Sequence, residues 1–289
     1  MKVLVTGVKG QLGFDVVNEL NKRGHVAVGL DVTEMDITDA ESVSKVIGEV
    51  APQAVIHCAA WTAVDAAEEK ENVSKVHKVN VVGTQNIANE CKKLGCKLLY
   101  LSTDYVFDGK GNEPWKPDCK NFKPLNVYGQ TKLEGEFAVA NTIDNYFIIR
   151  IAWVFGKNGN NFIKTMLKAG KKYDSVRVVS DQIGTPTYTY DLARLLVDMV
   201  ESDKYGYYHA TNEGGYVSWY EFAKEIFKQA GYETNVISVT TAEYGLSKAA
   251  RPFNSRLDKS KLKENGFKPL PTWKDALARY LKEINYGSD

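Results

Sequence analysis

Uninterrupted apolar runs alternate with helix-like segments through the first half of this 289-residue chain. The runs are apolar on successive residues, which is typical of parallel strands that are buried on both faces. They read KVLVTG, HVAVGLD, QAVIHCAA, KLLYLST and YFIIRIAW. Between them, apolar residues recur at helical spacing, as Phe14, Val17 and Leu20 do. This repetition predicts an α/β fold with a doubly wound parallel sheet.

Composition excludes several classes of protein. The 37 lysines and arginines balance 36 acidic residues, so no basic excess attracts nucleic acid. No apolar stretch approaches the roughly 18 to 20 residues of a membrane span. The four cysteines form no CxxC pair and the four histidines no metal-ligand spacing, so we expect free thiols and no zinc site. A cytoplasmic protein with no membrane and no nucleic-acid partner is the expectation.

A glycine-rich turn follows the first predicted strand. It reads Gly7-Val8-Lys9-Gly10-Gln11-Leu12-Gly13. Glycines permit positive φ and a close backbone approach to a pyrophosphate, and the free N–H groups of the next helix attract that anion. The pattern predicts a dinucleotide cradle at Gly7, Gly10, Gln11, Leu12 and Gly13, although an ordinary tight turn would also use glycine.

The second strand ends in a carboxylate, Asp31, which can accept hydrogen bonds from a ribose 2′-hydroxyl and would repel a 2′-phosphate. Asp31 therefore favours NADH, while Lys9 and Arg23 are cations available to NADPH; a surface acid is the alternative. Asp36 and Ile37 are candidates for the exocyclic amine and the ring of adenine. Their alternative role is at the start of the next helix.

Tyr128 and Lys132 are four residues apart and so share one face of a predicted helix. A nearby ammonium lowers the pKa of a phenol and suits it to acid–base chemistry. Ser102 and Thr103 end the fourth strand, where a parallel sheet forms its ligand crevice. A hydroxyl there can hold a substrate carbonyl beside the phenol. A surface tyrosine with a solvated lysine is the alternative.

Beyond about residue 155 the regular alternation stops. We expect a dinucleotide-binding domain over residues 1–154, joined by a returning segment at about 176–205. Residues 155–175 and 206–289 are expected to form mainly a smaller C-terminal lobe that binds substrate.

Several motifs together resemble the dTDP-4-dehydrorhamnose reductase family of extended short-chain dehydrogenases, over essentially the whole chain. The motifs are Thr62-Ala63-Val64-Asp65, Ser102-Thr103-Asp104-Tyr105-Val106-Phe107-Asp108-Gly109, Pro124 to Glu136, Arg150-Ile151-Ala152-Trp153, Gly159-Asn160-Asn161-Phe162, Asp181 to Thr187 and Arg251 to Leu257. The resemblance implies reduction of the 4-keto group of dTDP-4-dehydro-L-rhamnose to dTDP-L-rhamnose, with NADH or NADPH as the reductant.

The resemblance also implies roles for individual residues. Thr103, Tyr128 and Lys132 would be catalytic, with Tyr128 and Lys132 also contacting the cofactor and Thr103 the substrate. Trp153 would lie in the sugar pocket. The remaining implied cofactor residues are Ala60, Trp61 and Thr62, and the remaining substrate residues are Asp104, Asn161, Arg251 and Arg256. Trp61 departs from the smaller or polar residue expected there. The two arginines suit a nucleotide-sugar diphosphate, with surface solvation as the alternative.

The resemblance leaves other functions to weigh. A sugar 4,6-dehydratase needs an acidic residue after Thr103-Asp104, where this chain has Tyr105. A sugar 4-epimerase would retain NAD tightly. A non-catalytic regulatory subunit of the same fold is a third alternative. Asn80 is either a support of the active site or a buried helix amide. Mg²⁺ enters by resemblance alone, and a homodimer is compatible with the fold.

Overall fold

The computed structural model describes residues 1–284. Its strands are β1 (Lys2–Thr6), β2 (Val26–Leu30), β3 (Ala54–His57), β4 (Lys97–Thr103), β5 (Tyr146–Ile151), β6 (Val154–Phe155), β7 (Ser175–Val179), β8 (Ile183–Gly184), β9 (Thr187–Tyr188), β10 (Gly206–His209), β11 (Val217–Ser218) and β12 (Asn235–Val239). Its α-helices are α1 (Gln11–Lys22), α2 (Ala40–Val50), α3 (Val64–Ala67), α4 (Lys70–His77), α5 (Thr84–Leu94), α6 (Val127–Ala140), α7 (Phe162–Gly170), α8 (Thr189–Val200), α9 (Trp219–Ala230), α10 (Thr241–Tyr244), α11 (Ser260–Glu264) and α12 (Trp273–Glu283). A π-helical segment, Lys78–Gly83, joins α4 to α5, and a 3₁₀ turn, Asp104–Val106, follows β4.

A six-stranded sheet runs in the order β10-β5-β4-β3-β1-β2, with every neighbouring pair parallel. The five apolar runs of the sequence form β1 to β5, so the predicted doubly wound fold is confirmed. From β1 the chain moves to one side for β2 and to the other side for β3, β4 and β5. The connections therefore diverge between β1 and β3, and ligands bind such sheets at the carboxyl ends beside this switch point.

Successive residues of the central strands point to opposite faces of the sheet. Val3 and Val5 of β1 pack in one core with α1 and α8, whereas Leu4 packs in a second core with α2 and α5. Both cores consist of residues that are almost fully buried. Burial on both faces explains why the strands are continuously apolar in the sequence.

The C-terminal lobe has a core of its own, formed around α7, α9 and α12. Strand β7 pairs with β12, β8 with β11, and β6 with β9, all outside the large sheet. The chain passes between the two lobes repeatedly. Phe155 and Tyr188 belong to the C-terminal core, α8 returns to the sheet, and Leu262 also packs against the sheet before Trp273 re-enters the C-terminal core.

Two segments differ from the predicted domain division. Residues 206–209, expected in the substrate lobe, form β10 and extend the large sheet beside β5. Residues 175–179, most of which were expected to return to the sheet, form β7 and pair with β12 of the C-terminal lobe. Neither segment carries the continuous apolar run that identifies a central strand, because β7 reads SVRVV and β10 reads GYYH. No helix within residues 1–284 is long and apolar enough to cross a membrane.

Candidate active site

The glycine turn forms a cradle from backbone alone. Gly7 has φ +70°, and a Cβ there would lie 2.8 Å from the Ala59 nitrogen. A Cβ on Gly13 would overlap the Gly7 carbonyl oxygen. Helix α1 begins at Gln11, so its first N–H groups open onto this turn. Because these glycines lack Cβ atoms, the turn packs directly against the Ala59 backbone and the start of α1. The open helix N-terminus beside this tight turn fits a pyrophosphate.

Asp31 stands at the carboxyl end of β2 and contacts the glycine turn. Its Oδ2 accepts a hydrogen bond from the Lys9 N–H at 3.1 Å, and its Oδ1 accepts one from the Val32 N–H at 2.9 Å. The Lys9 ammonium lies 3.4 Å from the Thr33 hydroxyl. A carboxylate suited to ribose hydroxyls and a cation suited to a 2′-phosphate therefore stand side by side.

The predicted adenine residues line the same cleft. Ile37 is buried, and a Cβ on Gly83 would lie 2.7 Å from its Cγ1 atom, so the π-helical segment packs tightly on this side chain. Asp36 is exposed, and its Oδ1 accepts hydrogen bonds from the Thr38 N–H and hydroxyl at 2.9 and 2.8 Å. Asp36 thus shapes the turn before α2.

Asn80 connects the loop after β3 to helix α6. Its Oδ1 accepts the Trp61 N–H at 2.8 Å, and its amide donates to the Thr131 hydroxyl at 3.1 Å. These bonds hold Ala60 and Thr62 at the cleft. Trp61 does not line the cleft; its indole N–H donates to the Ala63 carbonyl at 3.2 Å. Asn80 lies in the π-helical segment, a deviation that often marks functional sites.

Thr103 and Tyr128 meet at the carboxyl end of β4. Asn126 caps α6 by accepting the Gly129 N–H at 2.7 Å, which places Tyr128 in the first turn. The Thr103 hydroxyl donates to Asp104 Oδ1 at 3.1 Å and lies within hydrogen-bonding reach of the Tyr128 phenol. Lys132 follows one turn later on the same helix, so the structure brings the three predicted catalytic residues to one end of the cleft.

Burial shifts the pKa values of Tyr128 and Lys132. It raises the pKa of Tyr128 above its ordinary value, although the Thr103 hydroxyl offsets part of the rise. It lowers the pKa of Lys132 to about 7. The Lys132 ammonium lies 4.0 Å from the centre of the Tyr100 ring. The sequence suggests that Lys132 lowers the pKa of Tyr128; in the structure the effect of burial prevails. The phenol therefore keeps its proton near neutral pH, as an acid must.

Asp104 is a buried carboxyl group that lines the cleft next to Thr103. Its Oδ2 is buried and accepts no hydrogen bond within the described residues. Burial raises the pKa of Asp104 to about 7. A buried acceptor without a partner costs free energy unless a ligand hydroxyl or water satisfies it. The position suits a polar group of a substrate.

A buried ion pair packs against α6, the helix that carries Tyr128 and Lys132. Glu136, one turn after Lys132, accepts two hydrogen bonds from the Arg150 guanidinium at 2.8 and 2.7 Å. It also accepts the Ser102 hydroxyl at 2.5 Å. Both charged side chains are almost fully buried. Because Ser102 precedes Thr103, the pair links β4, β5 and α6 at the point where the reacting groups converge.

Two tryptophans form one wall of the cleft. Trp153 follows β5 with φ +51°, a strained conformation for a bulky side chain. Its ring stacks on Trp219, with centroids 3.7 Å apart and planes 13° apart. The sequence analysis missed Trp219, whose one local signal is the capping box of Ser218 and Glu221 that starts its helix.

Three predicted substrate residues do not line the cleft. The Asn161 amide donates to Gln11 Oε1, the Gly156 carbonyl and the Tyr280 hydroxyl at 2.9 to 3.0 Å, whereas its neighbour Asn160 faces the cleft. Arg251 pairs with Asp65 at 2.6 Å and donates to the Tyr105 hydroxyl at 3.2 Å. Arg256 donates to Asn254 Oδ1 at 3.0 Å. Internal hydrogen bonds hold all three side chains, and a single sequence does not reveal those partners.

The cradle and the catalytic residues share one continuous cleft of about 760 Å³. A volume of this size accommodates a small-molecule ligand. Its floor is the carboxyl ends of β1, β3, β4 and β5, and its far wall comes from the C-terminal lobe. Within residues 1–284, no group of three or more histidine, cysteine, aspartate or glutamate side chains is placed to hold a metal ion.

Known proteins resemble this chain along its full length. A spore coat polysaccharide biosynthesis protein, SpsK, of Bacillus subtilis (strain 168) is 41% identical over 288 residues, covering 100% of this chain and 99% of the relative. A dTDP-4-dehydrorhamnose reductase of Streptomyces griseus is 40% identical over 280 residues, covering 95% of this chain and 91% of the relative.

Among solved structures, dTDP-4-dehydrorhamnose reductase from Bacillus anthracis str. Ames, in complex with NADP, superimposes with a TM-score of 0.93. It is 41% identical and covers 98% of this chain and 99% of that chain. Residues 1–286 match the family described as RmlD substrate binding domain. The resemblance predicted from the motifs is thereby confirmed, and the chain belongs to the RmlD family, which includes dTDP-4-dehydrorhamnose reductases.

Proposed function

We propose that this protein reduces the 4-keto group of dTDP-4-dehydro-L-rhamnose to give dTDP-L-rhamnose, with NADH or NADPH as the reductant. One observation carries the proposal: a dinucleotide cradle opens without interruption onto Thr103, Tyr128 and Lys132. The names of the relatives support the substrate, and the geometry supports a reduction.

The residues divide the chemistry among them. Thr103 and Tyr128 bind the carbonyl oxygen from two sides, and Tyr128 delivers the proton to that oxygen. When bound, the reduced nicotinamide supplies the hydride for sugar carbon 4. Lys132 stands one helical turn from Tyr128, where it can hold the ribose of the dinucleotide. Donors aimed at the developing alkoxide stabilise the transition state more than the ketone.

The cofactor half of the proposal concerns selectivity. Asp31 suits the ribose hydroxyls of NADH, and Lys9 with Thr33 suits the 2′-phosphate of NADPH. We propose that both reductants support turnover, with NADH favoured by the Asp31 carboxylate. Mg²⁺ has no preformed carboxylate cluster among residues 1–284. Turnover that is unaffected by a chelator is the expected result.

The proposed function is tested by mixing the purified protein with dTDP-4-dehydro-L-rhamnose and following NADH or NADPH oxidation at 340 nm. The sugar product is identified in parallel by chromatography and NMR. Stoichiometric oxidation with dTDP-L-rhamnose as product supports the proposal. Sugar interconversion without net oxidation, on NAD retained from purification, would instead identify a 4-epimerase. No reaction with any 4-keto sugar would favour a non-catalytic subunit.

A further inference from the structure

The C-terminal lobe presents one aromatic ring, Trp219, to the reaction end of the cleft. Trp219 is the first residue of α9. Ser218, its N-cap, accepts the Glu221 N–H at 3.1 Å and donates its own N–H to Glu221 Oε2 at 2.7 Å. Phe162 packs behind the indole, with centroids 4.6 Å apart. Backbone and ring are therefore both held in place.

Trp219 limits the part of the Trp153 ring that a sugar can contact. The two indoles are nearly parallel at 3.7 Å, so one face of Trp153 is covered. At its edge, a Cβ on Gly184 would lie only 2.9 Å from the Trp153 Cε2 atom. Trp153 is thus wedged between Trp219 and a glycine. The pair acts as one apolar surface, and the substrate meets both rings together.

The reaction fixes how a sugar must lie against this surface. The oxygen on carbon 4 meets Tyr128 and Thr103, so the groups on carbons 3 and 5 flank it. The lining of the cleft includes the buried carboxyl of Asp104 and the paired rings of Trp153 and Trp219. A hydroxyl on carbon 3 suits the carboxyl. A methyl group on carbon 5 suits the indoles, because burying apolar surface there is favourable.

We propose that Trp219 is a specificity-determining residue. Together with Trp153 it selects substrates whose carbon 5, next to the carbonyl, carries a methyl group (carbon 6). The inference rests on the proposed function and deepens it. It assigns to the C-terminal lobe the choice of 6-deoxyhexose over a sugar without carbon 6. One methyl group in an apolar pocket changes kcat/KM by about 10 to 200-fold, which sets the size of the expected discrimination.

The test compares two substrates on the same nucleotide: the 6-deoxy-4-ketohexose and the 4-ketopentose, which lacks carbon 6. The wild-type protein should prefer the hexose by about 10-fold or more in kcat/KM. Trp219→Ala should reduce this preference to about 3-fold or less, through loss of hexose turnover, with KM for the nicotinamide cofactor unchanged. Tyr220→Ala is the matched control, since Tyr220 is the next residue of α9 and does not line the cleft.

Trp219→Phe keeps an apolar ring of smaller area than the indole and should lower the preference to a value between those of the wild type and Trp219→Ala. If Trp219→Ala melts at a much lower temperature, the preference of the Phe variant decides: a fall to an intermediate value supports the proposal, and complete loss or no change overturns it. Equal losses of kcat/KM for both sugars in Trp219→Ala would make Trp219 a packing residue and also overturn it. Wild-type protein that reduces neither sugar would instead refute the proposed function.

Discussion

The two ends of the cleft are built in different ways. The cofactor end uses the backbone of one short stretch, Gly7 to Gly13, with Asp31 beside it. The sugar end uses side chains that are distant in sequence, from Asp104 through Trp153 to Trp219. A ligand that all members of a large class share can be bound by backbone, whereas a particular sugar needs particular side chains. From this contrast we expect cofactor and substrate recognition to be separable in this protein.

Burial also separates the two ends. Asp31 and Lys9 stand near the surface, where water and salt screen their charges. Asp104, Tyr128 and Lys132 have pKa values that burial moves toward the neutral form of each group. A hydrogen bond formed in this low-dielectric part of the cleft is stronger than one formed in water.

The largest expected effect is that of Tyr128→Phe. Tyr128 lies between the two ends of the cleft. The substitution removes one transferable proton and should lower kcat by about 10² to 10⁴-fold. Affinities for cofactor and nucleotide sugar should both stay within about 3-fold of the wild type, because neither end changes. Steady-state kinetics and calorimetric binding check both statements. Tyr173→Phe, at an exposed position outside the cleft, is the control. Near-normal turnover of Tyr128→Phe would show that Tyr128 is not the proton donor.

Gly13→Ala should damage the cofactor end alone. The new Cβ overlaps the Gly7 carbonyl, so the turn must shift. A shift of about 1 Å can cost on the order of 10²-fold in kcat/KM for the cofactor. Affinity for the nucleotide sugar should not change.

Gly48→Ala is the matched control for that variant, because Gly48 lies in α2 with nothing near the added Cβ. It should be active and slightly more stable, by about 0.5 to 1 kcal/mol. If Gly13→Ala weakened sugar binding as strongly as cofactor binding, the two ends would not be separable.

Asp31→Ala should change the choice between reductants. It removes an acceptor for the 2′-hydroxyl and a repulsion against a 2′-phosphate. The ratio of kcat/KM for NADPH to that for NADH should rise roughly 10-fold. Asp31→Asn keeps an acceptor for the Lys9 N–H but removes the charge. It therefore isolates the electrostatic contribution to the choice between NADPH and NADH. A constant ratio in both variants would place the ribose elsewhere.

The last expected effect is on stability rather than on turnover, and it depends on pH. Burial lowers the pKa of Lys132 to about 7, so the cost of burying it is constant below pH 7 and falls as the pH rises toward the ordinary lysine value. Lys132→Met should therefore stabilise the cofactor-free protein most at pH 6. The advantage should shrink above pH 7 by up to about 1.4 kcal/mol per pH unit.

Denaturant unfolding of wild type and variant at pH 6, 8 and 9.5 measures this difference. Lys282→Met, at an exposed position of α12, should show no such trend. A difference that is independent of pH would mean that Lys132 is solvated in the folded protein.

The sequence predicted most of what is encoded locally. Continuous apolar runs identified β1 to β5, and the glycine spacing identified the phosphate turn, because each signal lies within one element. Tyr128 and Lys132 were identifiable for the same reason, since they are one helical turn apart. Asn80 was recognised as a candidate, but its partners at Trp61 and Thr131 became visible only in the folded chain.

What the sequence did not predict depends on contacts between distant segments. Trp219 reaches the cleft only because α9 packs on α7, more than fifty residues earlier in the chain. Asn161 and Arg251 are polar residues in motif-rich loops, and the motifs do not show that Gln11 and Asp65 already hold them. Strand β10 reads GYYH and lacks the aliphatic run that identified β3, a strand of the same length.

The repeated passage of the chain between the lobes has a mechanical consequence. Each passage is a covalent tether, and the tethers leave the sheet at separate points: after β5, on either side of α8, after β10 and around α11. Two lobes joined by a single linker can rotate about it, whereas several linkers at separate points restrict such a rotation. The lobes of this protein should therefore move as one body, and neither should fold after excision of the other. Access to the cleft then depends on loops and side-chain rotations at its rim.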